Sequence, residues 1–173
     1  LIEGWSSNDY AAYLANELSV SEQDIFSVIQ KKAGWWDEYD FLDTKPRDLD
    51  LEGYLFPDTY FFSTTSTDEV VSLMKNNFEV KTKLLQEEAL SKGLKWNEII
   101  IMASILEEEA DTIQDFSIVS GVLWKRLEIG MALQVDVAPI TYEERGFPNN
   151  PLSNPGLASI NAALNPETSE YLF

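Results

Sequence analysis

The apolar pattern is most concentrated between Asn97 and Ala110, which reads NEIIIMASILEEEA. Ile99, Ile100, Ile101, Met102, Ala103, Ile105 and Leu106 cover every face of a helix. A helix that is apolar all round is a buried one. Asn97 is placed to cap its start. Its other end is three consecutive carboxylates, Glu107, Glu108 and Glu109. At about 100° per residue these point in three directions. Glu109 shares a helix face with Ile105 and Met102, so it stands above an apolar row. A carboxyl group held against apolar surface has its charged form disfavoured and its pKa raised, as a general acid requires. The competing reading is a frayed helix end with three solvated glutamates, where negative charge opposes the helix dipole.

Helical periodicity also organises the flanks. Residues 6–18 read as a helix with Ser6 and Asp9 as a capping box and Tyr10, Ala11, Leu14 and Leu18 as its stripe. Ser21 caps a second helix to Lys32, with Ile25, Phe26, Val28 and Ile29 apolar and Gly34 as its stop. Residues 35–50, rich in Asp and aromatics, read as loop. Ser66 and Glu69 form a capping-box pattern opening a long amphipathic helix to about Ser91, closed by Gly93. Thr112 and Asp115 open another, lined by Phe116, Val119, Val122, Leu123 and Leu127, with Lys125 and Arg126 near its end and Gly130 closing it. Met131 to Ala138 alternates with period two and reads as a short strand. It puts Gln134 and Asp136 on one surface and Leu133, Val135 and Val137 on the other. The Pro- and Asn-rich stretch from Pro139 reads as loop. Leu157 to Leu164 reads as a short helix with Ser159 and Asn161 outside. Tyr171 to Phe173 reads as a strand needing a partner.

Residues 51–62, LEGYLFPDTYFF, resist a helix because of Gly53 and Pro57. The aromatics Tyr54, Phe56, Tyr60, Phe61 and Phe62 favour extended structure, and Pro57-Asp58 a turn. Glu52 and Asp58 are carboxylates inside an aromatic cluster. Such groups are paired, hydrogen-bonded to backbone, or functional. For Asp58, capping a turn is an equal reading; for Glu52, a site role is favoured.

Composition narrows the chemistry. The 173 residues suffice for one domain with a real core, or a domain plus an appendage. The net charge of -18 argues against nucleic acid, whose phosphates call for clustered Lys and Arg. There is no His and no Cys. Thiol catalysis, thiolate zinc sites and disulfides are excluded, and the commonest base and metal ligand are missing. No Asp-x-Asp-x-Asp calcium loop is present. Neither metal nor cofactor is expected, and the chemistry falls to carboxylates, hydroxyls, amides or a Lys. No apolar run is long enough to span a bilayer. The opening Leu1-Ile2-Glu3-Gly4 reads as domain interior rather than a signal peptide, so the chain reads as an excised fragment.

Several of these stretches together resemble the YceG-like family, the endolytic murein transglycosylases of MltG type. They are LIEGW at the start, EGYLFPDTYFF (52–62), MASILEEEA (102–110), SGVLWKRLEIGMALQVD (120–136) and PLSNPGLASINAALNP (151–166) followed by YLF. The fold this implies is α+β and mainly helical, a lysozyme-like catalytic domain with a small β element. Residues 1–50 would be an N-terminal helical subdomain and 51–173 the catalytic domain, truncated at both ends. The family's catalytic residue is the second Glu of an Ala-Ser-x-x-Glu-x-Glu pattern, which falls on Glu109. Ala110 follows it where relatives have Thr or Ser. Gln134-Val135-Asp136 runs almost directly into Pro139-Ile140-Thr141-Tyr142, where the family has some two dozen residues between. A loop is therefore expected to be missing near 138–139. Pro148-Asn149-Asn150-Pro151 stands where the family has Pro-Pro-Gly-Pro.

The activity implied is endolytic cleavage of the β-1,4 bond from N-acetylmuramic acid to N-acetylglucosamine, leaving 1,6-anhydro ends. Glu109 would act first as acid and then as base. Glu52, Tyr60, Gln134, Asp136, Tyr142 and Asn154 would bind substrate, with Tyr54 and Phe62 offering further faces to sugar rings. Asn154 as a cap for the loop before Pro155 is an equal reading. The implied partners are peptidoglycan glycan strands and cell-wall synthases. The implied location is the extracytoplasmic face of the bacterial cell membrane, reached through an upstream helix outside this sequence. Two alternatives use the same cleft. One is a non-catalytic peptidoglycan- or protein-binding module. The other is a hydrolysing muramidase with Glu52 or Asp136 activating water.

Overall fold

The apolar run forms the central helix of the computed structural model, which describes residues 1–30, 38–63, 65–110 and 112–172. Seven α-helices appear among the described residues, and no strand. They are α1 (Ser7–Leu18), α2 (Glu22–Ile29), α3 (Thr67–Ser91), α4 (Trp96–Glu109), α5 (Ile113–Glu128), α6 (Ile140–Glu143) and α7 (Leu157–Leu164). In α4 every residue from Ile99 to Leu106 is buried. Each of its Ile, Leu and Met side chains contributes about 1.5–3 kcal/mol by leaving water. Helices α7, α5 and α3 pack around it, and α1 and α2 pair with each other beside α3. Trp124 of α5 donates its indole N–H to Ala163 O of α7 at 2.9 Å. Gly121 of α5 lets backbone cross it, since a Cβ there would sit 1.8 Å from Glu167 O.

The caps follow local chemistry with two exceptions. Ser6 and Asp9 complete the capping box on α1, and Ser21 and Thr112 accept from Asp24 N and Asp115 N. Ser66 precedes α3 without a side-chain capping bond. Asn97 does not cap α4, which begins at Trp96, two residues earlier than that role requires. Instead its Oδ1 accepts from Tyr54 Oη at 3.0 Å, and its amide donates to Thr44 Oγ1. Tertiary partners outbid the local cap. The described part of the 35–50 stretch holds a 3-10 turn over Asp40–Leu42 that buries Phe41 and Leu42. Lys32, Gly34 and residues 35–37 lie outside the described residues.

The expected strand at 131–138 does not form. Its backbone is used otherwise. The Arg126 guanidinium donates to Leu133 O and, at 2.7 Å, to Leu172 O. Thr141 pairs with both Gln134 N and Val135 N. Gln134 is left-handed at φ 52°, which breaks an extended run. Leu133 and Val135 are buried while Val137 is exposed, so the alternation fails at its end. Ala138 and Pro139 lead into α6, a helix the sequence pattern placed in loop. Residues 171–172 form no strand, and Phe173 lies outside the described residues. Residues 51–55 form a buried turn, Tyr54 N to Leu51 O at 3.0 Å, with Gly53 at φ 86°.

Two side chains pin that turn to the rest. Asn154, fully buried, accepts from Gly53 N and Leu55 N at 3.0 and 3.1 Å. Its Nδ2 donates to Trp5 O at 3.1 Å and Glu52 Oε1 at 2.9 Å. Both oxygens of buried Glu52 also accept from Ser7 N at the start of α1. Burial lifts Glu52 from its ordinary 4.5 to about 7; the Ser7 amide opposes the shift and Asp50 adds to it.

Two outcomes follow. Asn154→Ala strands buried N–H groups and is expected to cost about 3–5 kcal/mol by urea unfolding, against less than about 0.5 kcal/mol for Asn161→Ala on the exposed side of α7. The folded state holds the Glu52 proton more tightly than the unfolded chain. Its contribution is therefore complete below pH 4.5 and lost as pH rises to about 7. Stability measured across that window should fall by up to about 3 kcal/mol from this group, and Glu52→Gln should flatten that slope.

Candidate active site

The three glutamates ending α4 emerge in three directions and meet three environments. Glu107 is half-buried. Its Oε2 accepts from Gly156 N at 3.0 Å and Ser159 Oγ at 2.5 Å. Gly156 is the cap residue of α7 and has no side chain to satisfy the first turn. Glu107 supplies that acceptor from α4 and places its charge on the positive end of α7. Glu3 lies against the same spot: a Cβ on Gly156 would sit 2.0 Å from Glu3 Oε1. Burial first, and the Glu107 charge second, raise the Glu3 carboxyl above its ordinary value. Glu108 is exposed, beside Gly4.

Glu109 is also exposed, and this corrects the expectation that Ile105 and Met102 would enclose it. Its Oε1 accepts from the backbone N–H of Val137 at 3.2 Å. The next residue back, Asp136, accepts from Tyr142 Oη at 2.5 Å. That bond, then partial desolvation, then the charges of Asp136 and Glu109 raise the Tyr142 phenol, against a lowering by Arg126. Glu109, Asp136 and Tyr142 therefore share one exposed surface. The platform under it is the irregular 131–138 segment, fixed by Arg126 and by Thr141. Gln134, exposed on the same segment, owes its direction to its left-handed backbone.

The other expected substrate contacts lie elsewhere. Glu52 and Asn154 are interior, and their polar atoms serve Ser7, Trp5, Gly53 and Leu55. Their polar atoms are engaged inside the fold, with Asn154 fixing the turn at 51–55. Tyr54 is fully buried between Phe41 and Phe78. Tyr60 is half-buried, stacked on Phe62 at 5.6 Å, donates to Phe56 O and accepts from Asn77 Nδ2. Asp58 bonds Asn77 and Lys81, which hold it down at about 2. Tyr60 and Asp58 thus belong to the wall facing α3.

Glu3, Ser159 and Thr141 were missed as contributors. A signal existed for the α7 contacts, since a helix starting at Gly needs an outside acceptor. Among the described residues, no group of three or more Asp, Glu, His or Cys side chains is arranged to hold a metal ion, and no helix is long and apolar enough to cross a membrane.

What the surface offers chemically is an oriented, water-accessible carboxylate beside a phenol–carboxylate pair. That set can donate and take back one proton at Glu109.

Known proteins carry the same arrangement of chain. The endolytic murein transglycosylase of Bacillus subtilis is 26% identical over 203 positions, a match covering 99% of this chain and 56% of that protein. The match runs over more positions than this chain has residues, so that relative holds residues this chain lacks. The endolytic murein transglycosylase of Streptococcus pneumoniae is 26% identical over 71% of this chain and 27% of its own length. The chain thus spans about half the length of the first relative and about a quarter of the second. The crystal structure of a YceG-like protein from Listeria monocytogenes superposes with a TM-score of 0.92 at 25% identity, over 100% of this chain and 67% of that one. The model of the YceG-like family matches residues 1–140, which takes in α4, Glu109 and Asp136 and ends just before Tyr142. With most of its length so matched, the chain belongs to the YceG-like family.

Proposed function

We propose that this chain is the catalytic part of an endolytic peptidoglycan lytic transglycosylase, with Glu109 as its acid and base. The observation that carries the reading is the placement of Glu109, at the end of a fully buried helix with its carboxylate held by Val137 N–H. The names of the Bacillus and pneumococcal relatives support the substrate class. In the lysozyme-like reading, protonated Glu109 donates to the glycosidic oxygen as its bond to C1 of N-acetylmuramic acid breaks. The sugar's 6-hydroxyl then bonds to C1, and Glu109 takes that hydroxyl proton. A 1,6-anhydro end results, no water is consumed, and Glu109 returns to its starting state. This differs from two-carboxylate hydrolysis. Asp136, Tyr142 and Gln134 orient the sugars. The substrate places the domain on the extracytoplasmic side of the bacterial membrane, and cell-wall synthases are its natural partners.

A second reading puts the acid on Glu107, because that carboxyl is half-buried whereas Glu109 is exposed. Its engagement by Gly156 N–H and Ser159 Oγ weighs against it, since both tie the carboxylate to the start of α7. Mass spectrometry of peptidoglycan digests decides. The chain, extended to the full length of its relatives if needed, should release fragments one water lighter than hydrolysis products. Glu109→Gln should lower that release by about 10²-fold or more with the melting temperature unchanged. Release that survives Glu109→Gln and vanishes in a folded Glu107→Gln protein moves the acid to Glu107. Release unaffected by either substitution moves the acid to another residue, and no release from the native chain leaves the binding-module reading.

A further inference from the structure

Away from Glu109, α3 and the start of α4 form a second concavity with the 3-10 turn at Asp40–Leu42. It encloses about 540 Å³. Its floor is apolar: Phe41, Ala89 and Trp96, each largely buried, with the exposed side chains of Leu90 and Leu94 at one side. Leu90 is 80% exposed. Leu90 and Leu94 leave this apolar surface open to solvent, and such a surface on a folded domain marks a contact site.

The charge around the floor says what fits there. Among the described residues its rim carries four exposed carboxylates, Asp40, Asp43, Glu79 and Glu87, against one cation, Lys83. Trp96 is 6% exposed, so its ring lines the groove while its indole nitrogen is shielded from solvent.

From this juxtaposition we propose that the groove docks a cationic amphipathic segment of a partner protein. One or two apolar side chains would seat on Phe41, Leu94 and Trp96. Lys or Arg side chains would face the acidic rim. Apolar anchoring supplies affinity, and the rim supplies sign and encounter rate. The groove uses none of the residues assigned to glycan cleavage, so docking and catalysis are separable.

The test uses the intact chain at physiological ionic strength and a short synthetic amphipathic Lys–Leu peptide, with the matching Glu–Leu peptide as its opposite. Titration by calorimetry should show binding of the first and none of the second. In a nitrogen–proton spectrum the indole resonance lost in Trp96→Phe should be the one that moves on titration. Leu90→Ser with Leu94→Ser changes exposed side chains, so folding is retained, and this pair should weaken binding about tenfold or more. Asp40→Asn with Asp43→Asn should do likewise. Glu143→Gln with Glu144→Gln, on the other side of the site at α6, should leave it within about twofold. Equal weakening by the Glu143 and Glu144 pair would reduce the effect to bulk attraction for an acidic protein and overturn the proposal. So would binding indifferent to Leu90 and Leu94, a stationary Trp96 resonance, or no binding at all.

Discussion

Everything in this domain accommodates the desolvation of α4. A helix apolar on all sides leaves no face for water, so other elements must close around it. Helices α3, α5 and α7 do so where helices reach. Elsewhere irregular chain covers it, and irregular chain brings unpaired N–H and C=O groups inside. The turn at 51–55 and the run from Pro151 to Gly156 are both such coverings, and both are buried. That is why Asn154 is interior. One amide serves the two N–H groups of Gly53 and Leu55 and binds two acceptors besides. Ser104, within α4 itself, similarly takes the amide of Leu152.

A chain with so many acids and no His has limited means of satisfying buried amides. It uses carboxylates at helix starts. Glu52 accepts from the first residue of α1, and Glu107 from the cap of α7. In both cases the positive end of the helix offsets part of the cost of burying negative charge. The offset is incomplete at Glu52, where burial still dominates and lifts the group to about 7. The same logic at shorter range gives the side-chain caps Ser6, Ser21 and Thr112, with an acid three residues on in each. Acidity in this protein is thus partly structural, and the residues that look most catalytic by burial alone are among those doing architectural duty.

What was legible in the sequence was local or periodic. The burial of α4, the boundaries of α1, α3, α5 and α7, and three of the caps follow from spacing and cap chemistry. What was not legible depended on partners distant in sequence. The 131–138 segment alternates like a strand, yet Arg126 and Thr141 occupy its backbone and no strand forms among the described residues. Asn97 looks like a cap, but Tyr54 and Thr44 claim it. Ser159 was assigned to the outside of α7, and Glu107 draws it in. Of the residues proposed for the site, Glu109, Asp136 and Tyr142 lie on one exposed surface, while Glu52 and Asn154 are buried and Tyr60 lies against α3. A motif reports that a residue matters and does not say whether it matters to substrate or to packing.

The exposure of Glu109 fits an acid of this proposed kind when the substrate is counted as part of the environment. Burial within the protein would tie the carboxylate to further partners, as Glu52 and Glu107 are tied. Glu109 accepts from the backbone N–H of Val137, which fixes its direction. A glycan strand laid across Val137, Asp136 and Tyr142 would remove the surrounding water only when the bond to be broken is in place. Desolvation is then tied to occupancy, and the cost of a buried charge is not carried by the free fold. Such a site trades static enclosure for dependence on the ligand. The irregular 131–138 platform, held by Arg126 and Thr141 rather than by a sheet, sets the direction of the Val137 N–H that Glu109 accepts.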